Sequence, residues 1–256
     1  MTSDRPADVV ERRADVLRVL HGSPLRTVDL VDRLDHSRST VARAVRELTT
    51  AGYATRTDEG YRATLHGRLA LRERDRLVGR LDDFEASSDL LAALPESFDV
   101  PPAVFDDATV VRAATHAPLR PTAPVSDVVD RASHVSIYTS RYVSRRHPIY
   151  HEQVVDHGTT ATLVLTDDVL QRLLSRRADD LSAWLELGRV AVYRTERRDP
   201  VTVVSAETPH GPEMGVVVYE ERTPVGFVGN DHPDAVAWAD RYVSRAREAA
   251  DLLYSP

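Results

Sequence analysis

The 256-residue chain has no cysteine and no lysine. Without cysteine it can form no disulfide, no thiolate zinc site and no thiol nucleophile. Without lysine, every fixed positive charge is an arginine. No apolar run approaches the roughly 18 residues of a membrane span, so no membrane partner is expected. The opening MTSDRPADVVERR is polar and charged, unlike a secretory signal, which makes a cytoplasmic location the expectation. Gly-x-Ser-x-Gly, P-loop and dinucleotide fingerprints are all missing. No cofactor, no metal site and no catalytic residue is expected, and the chain reads as a non-enzyme.

With 42% hydrophobic and 29% charged residues, the chain is that of a globular protein long enough for two domains. Aspartate outnumbers glutamate, and the net charge of -7 is unevenly spread. Residues 1–82 hold 16 arginines against 13 acidic residues, a balance of +3. Residues 83–256 hold 17 against 27, a balance of -10. A basic front part suits a polyanion partner.

Apolar spacing predicts one helix over 8–20, stopped by His21-Gly22-Ser23-Pro24. A second, TVDLVDRL, can be capped by Thr27, and Asp35-His36 makes a tight turn. Ser37 opens a third helix, which Gly52 ends. Its inward stripe is Val41, Val45 and Leu48, so Arg38, Ser39, Ala42, Arg43 and Arg46 lie on other faces. YATRTDEGYRAT then reads as two strands around Asp58-Glu59-Gly60. Three helices and a hairpin follow the winged helix-turn-helix order. The run LVDRLDHSRSTVARAVRELTTAGYATRTDEGYRAT, with LHGR after it, resembles archaeal and bacterial winged-helix repressors. That resemblance implies a third helix entering the major groove of double-stranded operator DNA. Arg38, Ser39 and Arg43 would reach base edges, Arg46 a phosphate, and Arg56 and Arg62 the adjacent phosphates or minor groove. Each arginine also has the plainer reading of a solvated surface charge. The lysine-free, cysteine-free, aspartate-rich composition looks like that of a haloarchaeal protein, although a GC-rich genome alone would also favour arginine and alanine.

The expected architecture is α+β: a winged helix-turn-helix over 1–64, a connecting helix over 65–94, and an α/β sheet domain over 95–256. The connector, one helix or two, carries Leu69, Leu77, Leu81, Phe84, Leu91 and Leu94. It is the candidate homodimer contact, against the alternative of packing on its own chain. After the proline-rich PESFDVPP, strand and helix signals alternate. A helix is expected from Pro148, a cap from Asp167-Asp168, a hairpin with a Thr-Pro turn near 223, and a closing helix through DLL.

This rear part resembles the effector domain of regulators of the methanogenesis-regulator (FilR) type. The marks are the Ile137-Tyr138 strand, the helix near Tyr150, the Gly-Val-Val-Val-Tyr strand and the closing helix with Trp238. Related domains are similar to phospholipase D-like folds, but their His-x-Lys motif cannot exist without lysine. The resemblance therefore implies sensing rather than hydrolysis. His147 and His151 stand four apart with His157 near, a spacing that can hold zinc, but solvated histidines are the preferred reading. YTSRYVSRRHPIYH gathers Tyr138, Arg141, Arg145, Arg146, His147 and Tyr150 behind a strand, where α/β folds bind ligands. These are the candidate residues for a small, anionic effector. Alternatively the arginines pair with surface acids and the tyrosines fill core. The functional expectation is a dimeric, sequence-specific transcriptional regulator under small-molecule control. The alternative is a regulator whose rear domain serves oligomerisation or protein contact without any ligand.

Overall fold

The computed structural model describes residues 5–142 and 152–254. Contacts divide the chain into two units, one up to Leu81 and one from Asp82.

In the first unit, α1 (Pro6–Arg12) and α2 (Ala14–Val19) replace the single helix expected over 8–20. The break is at Arg13, whose backbone leaves the helical region (φ -123°, ψ 19°) while its Nε donates to Glu47 Oε2 at 2.9 Å. Thr27 is not a cap: α3 (Thr27–Leu34) is capped from Arg26, whose N–H donates to Asp29 Oδ2 at 3.0 Å. A carboxylate at the third helical position satisfies an amide the threonine hydroxyl cannot reach. Asp35 turns the chain in the left-handed region (φ 51°), which aspartate tolerates. Ser37 caps α4 (Arg38–Thr50), its hydroxyl accepting from the Thr40 N–H at 3.1 Å. Val41, Ala44, Val45 and Leu48 are buried and pack with Leu17, Leu20 and Leu30.

β1 (Ala54–Thr57) and β2 (Gly60–Ala63) form an antiparallel hairpin. Leu25 adds a bridge to Tyr61, and a Cβ on Gly60 would lie 2.3 Å from the Leu25 carbonyl oxygen. Only glycine permits that approach. The connecting stretch is two helices, α5 (Leu65–Ala86) and α6 (Ser88–Ala92).

The second unit is built on one eight-stranded sheet. Its strands are β3 (Thr109–Arg112), β4 (His134–Thr139), β5 (Thr160–Thr166), β6 (Val190–Thr195), β7 (Val201–Thr208), β8 (Gly211–Glu220), β9 (Thr223–Asn230) and β10 (Asp251–Tyr254). The spatial order is β10-β6-β5-β4-β7-β8-β9-β3. Only β6, β5 and β4 run parallel; every other pairing is antiparallel. On one face Val135, Ile137, Leu165, Val192 and Val217 pack against α7 (Ala123–Arg131) and α8 (Asp167–Glu186). On the other, Tyr138, Val164, Val203 and Val218 pack against α9 (Pro233–Glu248) and Leu90 of α6. The unbroken runs of buried residues in β7 and β8 follow from this, because both faces of those strands are covered. The architecture is thus α+β: a winged helix-turn-helix, two connecting helices and a helix-covered sheet.

Several local expectations are corrected. Thr166, in extended backbone, is the cap of α8; Asp167 and Asp168 are its first helical residues, where carboxylates complement the helix dipole. The β8–β9 turn lies at Glu221-Arg222, with Glu221 at φ 52°, and Pro224 sits within β9. A register shift beside it accommodates the missing N–H. The closing helix stops at Glu248, because Asp251–Tyr254 pairs with the open edge of β6 instead of extending it. The helix expected from Pro148 has only residues 152–155 inside the described part.

Candidate nucleic-acid interface and rear-unit cleft

On α4 the buried stripe dictates what the opposite side offers. Ser39, Arg43, Arg46 and Thr50 follow at steps of four, three and four and form one exposed row. Arg38 and Ala42, also exposed, flank that row. Sequence reading named Arg38, Ser39, Arg43 and Arg46; Thr50, at the far end of the row, carries no charge to mark it. The helix-turn-helix corner is tied back by His36 Nε2 to Asp15 Oδ2 at 2.6 Å.

Arg43 does not wave freely. Its Nε donates to Glu47 Oε1 at 2.8 Å, and the other oxygen of Glu47 takes Arg13. Glu47 is mostly shielded while Arg43 is 74% exposed. The anchored Nε leaves both Nη groups at the forward end of the guanidinium. Hydrogen bonds from Arg13 and then Arg43 hold the Glu47 carboxyl down at about 2, well below its usual value. A depressed carboxylate contributes stability above its unfolded pKa, near 4.5, that is lost as pH falls through the folded one. Glu47→Gln should therefore destabilise the protein at neutral pH by about 1–2 kcal/mol, discounted because one partner faces solvent. Urea titrations at several pH values test this: the gap between the two proteins should close between pH 4.5 and 2. A gap independent of pH would show that the ion pairs contribute nothing.

The hairpin separates its two arginines. Thr55 pairs with Arg62, and Arg56 with Tyr61, so alternation puts Arg56 and Arg62 on opposite faces of the ribbon. Both are exposed. They cannot meet one phosphate together through the same face.

In the second unit, Ile137 and Thr139 face one way and Tyr138 the other. Tyr138 is wholly buried on the α9 side. Its hydroxyl donates to the Arg197 carbonyl and accepts from the Asp199 N–H, both at 3.0 Å. Burial, and then the nearby Asp199 carboxylate, push its pKa up. Tyr242 bonds the same carboxylate, and Arg197 lies over the Tyr242 ring at 4.4 Å. Tyr138 is thus a structural anchor for the loop after β6. Arg141 lies on the other side, in a cleft at the ends of β4 and β5. Arg145, Arg146, His147 and Tyr150, together with His151, lie outside the described residues. Among the described residues no cluster suits a metal ion, and no helix is long and apolar enough to cross a membrane.

Residues 118–249 match the family model described as methanogenesis regulatory protein FilR1, middle domain. The chain belongs to this family. Residues 7–86 match a second model, the HVO_A0261 N-terminal domain. No curated protein is a significant sequence match. Among solved structures, the chain is similar to TrmBL2, an archaeal chromatin protein, at 17% identity over 95% of this chain and 93% of that one, TM-score 0.45. It is also similar to the phospholipase D family member Nuc from Salmonella typhimurium, at 11% identity over 58% and 100%, TM-score 0.41. A third likeness is the Agobacterium tumefaciens repressor BlcR, at 15% identity over 94% of each chain, TM-score 0.25.

With its winged helix and FilR1-type domain, this family member is a DNA-binding transcriptional regulator. Two features of its sites escaped sequence reading. Glu47, four residues after Arg43, carries the ordinary signal of a helical ion pair. Arg172, Arg198 and Arg222 carry none, because they lie far apart in the chain and meet beside Arg141 only through the sheet.

Proposed function

We propose that this protein reads a specific operator through α4 and the hairpin, as a cytoplasmic homodimer whose DNA affinity is set by a small molecule in the rear unit, and that it is not an enzyme. The observation that carries it is the row Ser39, Arg43, Arg46 and Thr50, exposed directly opposite the buried stripe of a helix that follows a tight turn. In the groove, Arg38, Ser39 and Arg43 address base edges, Arg46 a phosphate, and Arg56 and Arg62 the backbone on either side of the wing. Of the residues proposed for the effector site, Tyr138 and Arg141 are described, and Arg141 is the one that lines the cleft. Footprinting the full chain on its own upstream region, across a salt series, tests this reading. A protected site whose affinity falls steeply with salt is expected. Equal binding to every duplex, or to none, would overturn it.

The dimer contact is assigned to α5. Leu69, Leu77 and Leu81 are 47%, 56% and 54% exposed and fall on one side of the helix, with Leu65 at its start. Leucines so placed are covered in solution by a second copy of the same helix. Leu77→Arg with Leu81→Arg should give a folded monomer by light scattering. Operator affinity should drop on the order of 100-fold, because the second half-site is no longer tethered. A dimer of unchanged affinity would move the contact elsewhere.

A further inference from the structure

The three parallel strands β4, β5 and β6 deliver the chain to the same edge of the sheet. In open α/β sheets that edge is where ligands bind. Arg141 follows β4, Asp168 and Arg172 open α8 after β5, Arg198 follows β6, and Arg222 comes from the β8–β9 turn. Their side chains line one cleft of about 450 Å³. Four arginines face one aspartate there, within the acidic part of the chain. Among the described residues none of the four is ion-paired. Arg141 is bonded to carbonyls instead, Nε to Glu221 at 2.7 Å and Nη1 to Ser140 at 2.9 Å, so its charge is oriented and not neutralised.

Behind this cleft, between the sheet and α7 and α8, lies a second cavity of about 130 Å³. Its walls are mainly apolar, among them Val129, Ile137, Leu165, Leu173 and Trp184, and the threonine hydroxyls beside them are already bonded within the protein. Arg141, Tyr142, Val169 and Tyr219 line both spaces, which makes them an inner and an outer chamber of one site. At the junction the Tyr142 hydroxyl is buried with no hydrogen-bond partner among the described residues. Leaving such a group unsatisfied is costly, and a ligand oxygen would supply the missing partner.

We infer that this two-chamber site binds a small amphiphilic carboxylate, its apolar part inside and its carboxylate among the arginines. An aliphatic cavity of roughly 150 Å³ stays dry and accepts benzene. The inner chamber therefore fits one ring or a short branched chain. A sugar would leave its hydroxyls unpaired against these walls, and a bare phosphate would leave them empty. The carboxylate gains charge-assisted bonds that an alcohol or hydrocarbon does not. The inference rests on reading the rear unit as a sensor, and it names the ligand chemistry of that sensor.

Calorimetric titration of the full chain with phenylacetate, isovalerate, toluene and acetate tests it. Phenylacetate or isovalerate should bind saturably, roughly tenfold or more tighter than toluene or acetate. The pair Arg172→Gln and Arg222→Gln, the first half-buried and the second exposed, should weaken that binding by a similar factor. Val129→Phe, which fills the inner chamber, should abolish it in a protein whose melting curve shows it folded. No saturable binding of either amphiphile, or binding unaltered by both sets of substitutions, overturns the site. If phenylacetate binds as described but operator affinity does not respond, the site stands and ligand control falls. If another compound shifts operator affinity equally in the Val129→Phe protein, ligand control stands and this site falls.

Discussion

Arg43→Ala should weaken operator binding by about 1–3 kcal/mol, on the order of 10- to 100-fold, and relax the preference for one base pair. The loss is large because the side chain is already arranged for the task. Glu47 holds Nε at 2.8 Å, which leaves the two Nη groups to act as a fork. Two parallel donors match the O6 and N7 acceptors of guanine. Arg46→Ala should behave differently. It removes a phosphate contact, so affinity falls alike on every sequence and the salt dependence shallows by about one counterion. Binding isotherms on the operator and on single-base variants, at several salt concentrations, separate the two. If Arg43→Ala leaves both affinity and base preference intact, Arg43 is not a reading residue. Glu47→Gln adds a control: it keeps every groove-facing group but loosens the fork, so part of the Arg43→Ala loss should appear.

Tyr138→Ala should destabilise the second unit by about 3–5 kcal/mol, the range for truncating a buried aromatic. Tyr138 fills the α9 side of the sheet with no exposed surface and stacks edge-on against Tyr242, ring centroids 5.5 Å apart. Tyr138→Phe isolates the hydroxyl. It keeps the packing but leaves the Arg197 carbonyl and the Asp199 N–H without their partner, at a cost of about 1–3 kcal/mol. Urea unfolding followed by far-UV circular dichroism measures both. The same variants examine the place of Tyr138 in sensing. A structural anchor predicts that Tyr138→Phe lowers stability while the affinity of a ligand held by Arg141 is kept. A selective loss of ligand affinity at unchanged stability would return Tyr138 to the binding site.

The elements of the winged helix could be read from residues because local chemistry specifies them. Ser37 satisfies an amide three residues on, Gly52 supplies a positive φ, and the Val41-Val45-Leu48 stripe has a helical period. Where a local signal competed with a tertiary one, the tertiary one prevailed. Ala249 and Ala250 after Glu248 could have continued the helix, but the unpaired edge of β6 offered backbone partners to Asp251, Leu252 and Tyr254. Thr223-Pro224 resembles a turn, but β8 and β9 place the bend two residues earlier.

By itself, then, the order of residues determined the helix-turn-helix, its wing and the arginine-bearing face of α4, since each depends on neighbours within a few positions. Tertiary structure alone decided which arginines become companions and which way Tyr138 faces. Arg141, Arg172, Arg198 and Arg222 converge because three parallel strands end together and a hairpin bends over them. Side chains alternate across a strand, but only the packed sheet settles which face meets α9 and which lines the cleft.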